Sequence, residues 1–140
     1  LINKLWREHL KKSADATFLD KIIDGCGFEI ISMKALIKAH KKANEIEREH
    51  CTLYIRNNIK KFKVLRFLPP KKFIRKDLRL TVDYPDDLIV CRKIYTKFKK
   101  QAPFFNLNSI INFLDNSPNI KKIIKPYVKK GYSSMYRYKM

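Results

Sequence analysis

The stretch from Leu78 to Tyr95 constrains the fold of this 140-residue chain more than any other part of it. Its first five residues, Leu-Arg-Leu-Thr-Val, are β-prone and predict a short strand from Leu78 to Val82. Asp83 ends that run, and Pro85 follows, where proline suits the first turn of a helix. Apolar residues then recur at steps of about 3–4, which predicts a helix from Pro85 to Lys99. Its apolar face consists of Leu88, Cys91, Ile94, Tyr95 and Phe98. The Asp83 carboxylate would then lie at the carboxyl end of a strand, the edge of an open α/β sheet where ligands bind.

Predicted strands and helices alternate along the rest of the chain, which indicates an α/β fold. Further strands are predicted from Phe28 to Ser32 and from Phe62 to Phe67, while Phe18 to Ile23 fits either type of element. Further helices are predicted from Leu1 to Lys12, Met33 to Asn44, Glu47 to Asn57, Asn106 or Asn108 to Asp115, and Pro118 or Asn119 to just before Pro126. Ile2, Leu5, Trp6 and Leu10 form an apolar stripe on the first helix, and Leu36, Ile37, Ala39 and His40 are expected to face inward on the next. Two glycines beside Asp24 predict a turn at residues 24–27.

The net charge of +19 is the most unusual feature of the composition. Such a charge suits an anionic partner, which can be nucleotide phosphate, nucleic acid or an acidic membrane. The lysines are scattered over many segments, however, and they accompany many isoleucines and asparagines, as expected of an AT-rich genome. We therefore interpret most of the charge as compositional and expect no nucleic-acid partner. No apolar run approaches the roughly 20 residues of a membrane span.

Cysteine and histidine usage argues against a zinc site. Cys26, Cys51 and Cys91 are odd in number and lack C-x-x-C spacing, and the three histidines fall in no ligand spacing. Free thiols are typical of a reducing compartment, so we expect a cytoplasmic protein.

Three sequence blocks carry a resemblance to a known family. Arg79 to Leu88 reads R-L-T-V-D-x-P-x-D-L and is followed by a helix with Tyr95; residues 28–36 read FEIISMKAL after an Asp-Gly turn; and residues 47–55 read EREHCTLYI, close to E-R-E-H-V-T-x-Y-I. In this order they resemble the cytidylyltransferases of the spore-coat polysaccharide type, which are related to the acylneuraminate and KDO cytidylyltransferases. The resemblance spans about Ile2 to Ile124.

The resemblance implies the C-terminal half of a nucleotide-diphospho-sugar transferase (Rossmann-like) architecture. Residues 1–125 would be the C-terminal portion of that domain, and residues 126–140 a basic, tyrosine-rich tail. The family's Gly- and Arg-containing phosphate loop and its mid-chain metal-binding Asp are not in this sequence, so we expect the chain alone to be incomplete and inactive. The complete enzyme would transfer CMP from CTP to a sugar or sugar acid for surface polysaccharide, with Mg²⁺ as its cofactor, and a homodimer is one possibility.

The resemblance also assigns site residues. Asp83 matches a metal-binding Asp; alternatively, it only stabilises the positive end of the following helix. Glu29 faces the sugar pocket or is an outward-facing strand residue. Arg48 and His50 line the sugar side of the site or belong to a capped helix start with local ion pairs. Arg79 reaches the substrate or lies on the sheet surface.

A small basic nucleic-acid-binding module without catalysis is the alternative from another functional class. It predicts lysines gathered on one face and steeply salt-dependent binding. The enzyme hypothesis predicts instead that the strand end bearing Asp83 faces an open cleft.

Overall fold

The computed structural model describes residues 1–135, with side chains as far as Val128. These residues form two compact units: the first consists of Leu1–Ile22 and Gly27–Lys71, and the second of Ile23–Cys26 and residues 72–135. In chain order, the described elements are α1 (Ile2–Lys11), β1 (Ala16–Leu19), β2 (Glu29–Ile31), α2 (Met33–Lys42), α3 (Glu45–Arg48), α4 (Leu53–Asn57), β3 (Val64–Phe67), α5 (Pro85–Phe98), α6 (Leu107–Asp115) and α7 (Pro118–Met135), with short 3-10 helices at Ile59–Lys61, Lys71–Phe73 and Lys99–Gln101.

The first unit is built around a mixed sheet, which confirms the α/β prediction. Within the described residues the sheet has the strand order β2-β1-β3, with β2 antiparallel and β3 parallel to β1. Ala16 is paired with Ile31 on one side and with Val64 on the other. All four residues of β1 are buried because it is the central strand. The ambiguous segment that begins at Phe18 therefore contains the end of the central strand.

Helix α2 packs against this sheet through alanines. Ser32 caps the helix, as its Oγ accepts a hydrogen bond from the Ala35 N–H at 3.2 Å. Ala35, Ala39 and Ala43 are buried at four-residue steps, in one core cluster with Ala16 and Phe18 of β1. The predicted inward face was therefore wrong in part: Ala39 is buried, but Ile37 and His40 are exposed.

Helix α1 covers the sheet with Leu5 and His9, which lie one helical turn apart and are both buried. The predicted stripe was wrong at Ile2, Trp6 and Leu10, whose exposed fractions are 58%, 50% and 57%. The inward face of the helix is rotated toward His9 because that histidine finds a buried partner. His9 Nδ1 lies 2.9 Å from Oγ1 of Thr17 on β1.

We expect the first unit to lose stability as the pH falls through the range in which His9 titrates. Burial lowers the pKa of His9, against the opposing charge of Asp15. The folded state therefore favours neutral His9, and the unfolded chain takes up the proton first below about pH 6.5. Stability is full above that pH and declines below it, which urea unfolding at about pH 7.5 and pH 5 would measure. In a His9→Asn variant this decline should shrink, whereas the exposed His40→Asn control should keep it. An equal decline in all three proteins would contradict the assignment.

The second unit is a helical assembly around an aliphatic core from α5, α6, α7 and the segment before α5. The core residues are Ile23, Leu78, Val90, Ile94, Ile111, Leu114 and Ile124. Helix α5 begins at Pro85, as predicted, and ends one residue before the predicted Lys99. Its inward face is Asp87, Val90 and Ile94, so the predicted apolar face was wrong at Leu88 and Tyr95, which are 40% and 55% exposed.

The predicted strand from Leu78 to Val82 is wrong. Within residues 1–135 this segment makes one isolated parallel bridge, between Arg79 and Asp24, and no continuous ladder. The chain opposite is a tight turn at Gly25, which is too short to extend the pairing. Asp83 thus follows a bridged, extended segment and not a full strand.

Two helix boundaries also differ from prediction. The predicted helix from Glu47 to Asn57 is two short helices, α3 and α4, and α3 starts before Glu47 because Asn44 caps it in a capping box with Glu47. Helix α7 begins at Pro118, as predicted, but continues through Pro126 to Met135. Directly after the proline, Tyr127 stacks on Tyr84 with 4.4 Å between ring centroids. The last five residues of the predicted tail, 136–140, lie outside the described residues.

None of the helices in residues 1–135 is both long and apolar enough to cross a membrane.

Candidate functional site

The Asp24-Gly25 turn places an acidic side chain beside the segment that leads to Asp83. Gly25 has φ +86°, a conformation that favours glycine, as the sequence predicted for this turn. The Leu80 N–H donates to the Asp24 carbonyl at 2.8 Å. A Cβ on Gly25 would lie only 2.5 Å from the Thr81 nitrogen, so a glycine is required here for the two backbones to meet.

Arg79 lies at the centre of a cluster of carboxylates, with its side chain 1% exposed. Its Nη1 donates to Asp24 Oδ2 at 2.9 Å, and its Nε donates to Asp87 Oδ1 at 3.0 Å. Its Nη2 donates to Asp83 Oδ2 as well as to Asp87. Among the described residues one guanidinium thus meets three carboxylates, and the cluster carries a charge of −2 when all are ionised. This local charge is opposite in sign to the net charge of +19 of the chain.

The two buried carboxylates of the cluster have different electrostatic environments. Burial raises the pKa of Asp24, and the nearby Arg79 only partly opposes this effect. Asp24 Oδ1 is buried and has no hydrogen-bond partner among the described residues. Burial would also raise the pKa of Asp87, but hydrogen bonds from Arg79 and from the N–H groups of Asp83 and Tyr84 outweigh it, so that pKa is lowered.

Asp83 is the solvent-facing member of the cluster, with its side chain 61% exposed. Oδ2 accepts from Arg79, whereas Oδ1 has no partner among the described residues. Its backbone N–H donates to Asp87 Oδ2 at 3.0 Å. Mg²⁺ is often held by one or two protein carboxylates, with phosphates and water as the remaining ligands. An exposed carboxylate with one oxygen available fits that kind of site. No group of three or more His, Cys, Asp or Glu in the described part of the chain is arranged to hold a metal.

The predicted substrate contact of Arg79 stays a prediction, but the surroundings of this side chain are now specified. The guanidinium is buried and pairs with carboxylates, and it does not lie on a sheet surface as the alternative held. Of the predicted site residues, Arg79 and Asp83 are therefore brought into contact in the second unit.

In the first unit, Glu29 belongs to an ion-pair network near the carboxyl ends of β1 and β3. Arg56 bonds to Glu29 through Nε at 2.9 Å and to Asp20 through Nη1 at 3.1 Å. Arg56 also lies over the Phe18 ring, 3.8 Å from its centroid. Arg66 bonds to the other oxygen of Asp20 at 2.7 Å. Glu29 is thus an exposed carboxylate held by an arginine whose side chain is buried.

Arg48 and His50 lie at the end of α3 and in the turn after it, and both are exposed. Arg48 Nε donates to the backbone carbonyl of His40 at 3.2 Å. Glu47 does not pair with Arg48, because it belongs to the capping box with Asn44 and accepts from Asn57 at 3.0 Å. The structure therefore leaves both predicted side chains accessible to a ligand.

Four residues that organise these clusters were not predicted from the sequence: Asp20, Asp24, Arg56 and Asp87. Asp24 was interpreted only as a turn residue, and no part in a cluster was predicted for Asp87. The sequence did offer one signal for such clusters: a chain with few acidic residues has several aspartates close in sequence to an arginine. Their partners lie far away in sequence, as with Asp24 and Arg79, which are 55 positions apart.

A second, exposed ion-pair network on the second unit provides a comparison. Arg75 bonds to Asp77 at 2.8 Å and to Asp115 at 2.7 Å, and Lys121 joins both acids. Hydrogen bonds from Arg75 and Lys121 hold the pKa of Asp115 at about 2. This network has two cations and two carboxylates, so it carries no excess negative charge.

Comparisons with known proteins place the fold. No protein-family model matches the chain. An uncharacterized protein of Methanocaldococcus jannaschii is 37% identical over 135 residues, which are 94% of this chain and 54% of that protein. The spore coat polysaccharide biosynthesis protein SpsF of Bacillus subtilis is 28% identical over 122 residues, 85% of this chain and 50% of SpsF. The chain thus spans about half the length of the curated relatives it matches.

A solved cytidylyltransferase from Leptospira borgpetersenii superposes with a TM-score of 0.71 and 22% identity, over 85% of this chain and 51% of that structure. This likeness shows the fold. The resemblance drawn from the three sequence blocks is confirmed: over most of its length the chain is similar in fold to the solved Leptospira cytidylyltransferase and in sequence to the spore-coat protein SpsF.

Proposed function

We propose that this chain is the C-terminal part of a nucleotidyltransferase that transfers CMP from CTP to a sugar or sugar acid for surface polysaccharide, with Asp83 as a Mg²⁺ ligand. The observation that carries the proposal is the exposed Asp83 carboxylate, which has one oxygen available at the edge of a cluster with a charge of −2. The family resemblance supports it, because that resemblance matches Asp83 to a metal-binding Asp.

In the proposed reaction, a sugar hydroxyl oxygen attacks the α-phosphorus of CTP. The bond from that phosphorus to the bridging oxygen breaks, pyrophosphate leaves, and the hydroxyl proton passes to water or a base. A bound Mg²⁺ would offset the developing charge on the phosphate oxygens. The contribution of the chain is mainly to hold its carboxylate in place, because positioning and electrostatics dominate such transfers.

The residues proposed to bind the sugar belong to the first unit. Arg48 is exposed, and a guanidinium can bind a carboxylate through two parallel hydrogen bonds. His50 is also exposed, while Glu29 offers a carboxylate steadied by Arg56. Carboxylate and imidazole groups suit the hydroxyl groups of a sugar.

The experiment that tests the proposal joins this chain to the part of its Methanocaldococcus jannaschii relative that it does not match. We expect this chimera to release pyrophosphate from CTP only with an added sugar or sugar acid and with Mg²⁺. Asp83→Asn should lower this rate by at least about 100-fold, because an amide lacks the charge that a hard cation requires. The measurement is pyrophosphate release under saturating CTP.

The matched control is Asp77→Asn, which changes an exposed, ion-paired aspartate of the same unit. Its rate should stay close to that of the parent chimera. If Asp83→Asn kept the pyrophosphate-release rate of the parent chimera, the metal role would be ruled out. If the parent chimera were active with another nucleotide but released no pyrophosphate from CTP, the proposed reaction would be ruled out.

A further inference from the structure

Asp83 is held at two separate points, although it is the most exposed member of its cluster. Asp87 Oδ2 accepts from the backbone N–H groups of Asp83 and Tyr84, at 3.0 and 3.1 Å. Arg79 Nη2 binds the side-chain oxygen Oδ2 of Asp83. The first contact fixes the backbone position of Asp83, and the second limits the rotation of its carboxylate.

Arg79 is itself fixed by two carboxylates that are almost fully buried. The side chains of Asp24 and Asp87 are 3% and 0% exposed, and they bind Nη1 and Nε of the guanidinium. Because a guanidinium is planar, partners on both of these nitrogens set the direction of its remaining N–H groups. Asp24 and Asp87 therefore determine the direction in which Arg79 binds Asp83.

A purely structural role for Arg79 accounts for two of these partners but not for the third. Asp24 and Asp87 join the turn at Gly25 to the start of α5, and together they already compensate one cation. Asp83 adds a further negative charge, yet its exposed carboxylate would be solvated without this pair. The bond between Arg79 and Asp83 thus contributes little to folding, and its consequence falls on the orientation of Asp83.

We infer that Arg79, backed by Asp24 and Asp87, is a positioning residue that holds the Asp83 carboxylate in one rotamer, with Oδ2 occupied and Oδ1 available to a divalent cation. The inference rests on the proposed metal role of Asp83. It assigns Arg79 an indirect part in the reaction, because its guanidinium is too buried to meet a substrate without breaking the cluster.

Side-chain scalar couplings of Asp83, measured by NMR on this chain without metal, test the inference. A single staggered rotamer gives two unequal couplings to the β-protons, and free rotation makes them converge. We expect unequal couplings in the parent chain. Arg79→Lys retains the charge but loses the planar fork, so the Asp83 couplings should converge. Arg75→Lys makes the same change in the exposed network of the second unit and should leave them as in the parent chain.

Asp24→Asn is the second variant, in case Arg79→Lys does not fold. Asp24 makes no hydrogen bond to Asp83, but both bind Arg79, so we expect its replacement to shift the Asp83 couplings toward the average through Arg79. Averaged couplings in the parent chain would overturn the inference. The inference would also be overturned if Asp24→Asn kept the couplings of the parent chain while Arg79→Lys either kept them too or failed to fold.

Titration with Mn²⁺ separates this inference from the proposed function. Paramagnetic broadening should begin at the Asp83 amide, and the apparent affinity should be about 10- to 100-fold weaker in Arg79→Lys, as for other groups that orient a metal ligand. No selective broadening at Asp83 in the parent chain would remove the metal role, even if the couplings show a fixed rotamer. Equal affinity in the parent chain and Arg79→Lys would overturn the positioning role.

Discussion

Replacing Gly25 by alanine is expected to lower the free energy of unfolding of the second unit by more than about 2 kcal/mol. Gly25 has φ +86°, which alanine adopts only with strain. In addition, the new Cβ would collide with the backbone of Leu80 and Thr81, which cannot rotate away as a side chain can. The hydrogen bond from Leu80 to Asp24 would be lost when the two segments separate. Urea unfolding monitored by circular dichroism measures the change.

Gly27→Ala is the matched control, because it adds the same atom two positions further on. Its Cβ would meet only a side-chain methyl of Ile22, at the ordinary distance of 3.6 Å. We expect a change of less than about 1 kcal/mol, in either direction. Equal losses in the two variants would show that the close approach at Gly25 does not limit stability.

Replacing Arg79 by methionine is expected to cost about 3–5 kcal/mol of stability at neutral pH, the usual effect of removing one partner from a buried ion pair. Methionine fills part of the same space, so packing is a minor component of the loss. The major component is that Asp24 and Asp87 would remain buried without their cation. Arg66→Met is the control, because Arg66 is 60% exposed and pairs with an aspartate that keeps Arg56. Its loss should stay within about 1 kcal/mol.

The pH dependence of the Arg79→Met variant should identify the cause of the loss. In the parent protein the pKa of Asp87 is lowered by its hydrogen bonds, so this residue stabilises the fold above its unfolded pKa of about 3.9 and less as the pH falls below it. Without Arg79, burial dominates, and the pKa values of Asp24 and Asp87 should both rise. The folded variant then binds protons more readily than the unfolded chain, so its deficit should shrink as the pH falls from about 7 to 5. A deficit independent of pH would indicate lost packing instead.

Local signals in the sequence predicted most helix starts correctly. Ser32, Asn106 and Pro85 mark the beginnings of α2, α6 and α5, because a cap or a proline acts on backbone groups within its own turn. The turn at Gly25 was predicted for the same reason. These features depend on neighbours only a few positions away, so no knowledge of the tertiary structure is needed.

The direction that each helix faces could not be predicted as well. Periodicity located an apolar stripe on α1, but the structure buries His9 and exposes Trp6, because Thr17 offers His9 a partner. On α5, the polar Asp87 is buried while Leu88 is not, because Asp87 forms a buried ion pair with Arg79. Hydrophobicity alone cannot rank such positions when a buried polar group has a charged or hydrogen-bonding partner.

The sequence by itself determined that Asp83 precedes a proline-started helix, in a motif that resembles one of the cytidylyltransferases, since motif and helix start are both contiguous. Only the tertiary structure decided that Arg79 points inward and is enclosed by Asp24, a residue 55 positions earlier in the chain. It also decided that the extended segment before Asp83 pairs at a single bridge with the turn at Gly25. The physical reason is that a cap or a turn is satisfied by adjacent backbone groups, whereas a buried charge is satisfied by whichever partner the fold brings to it.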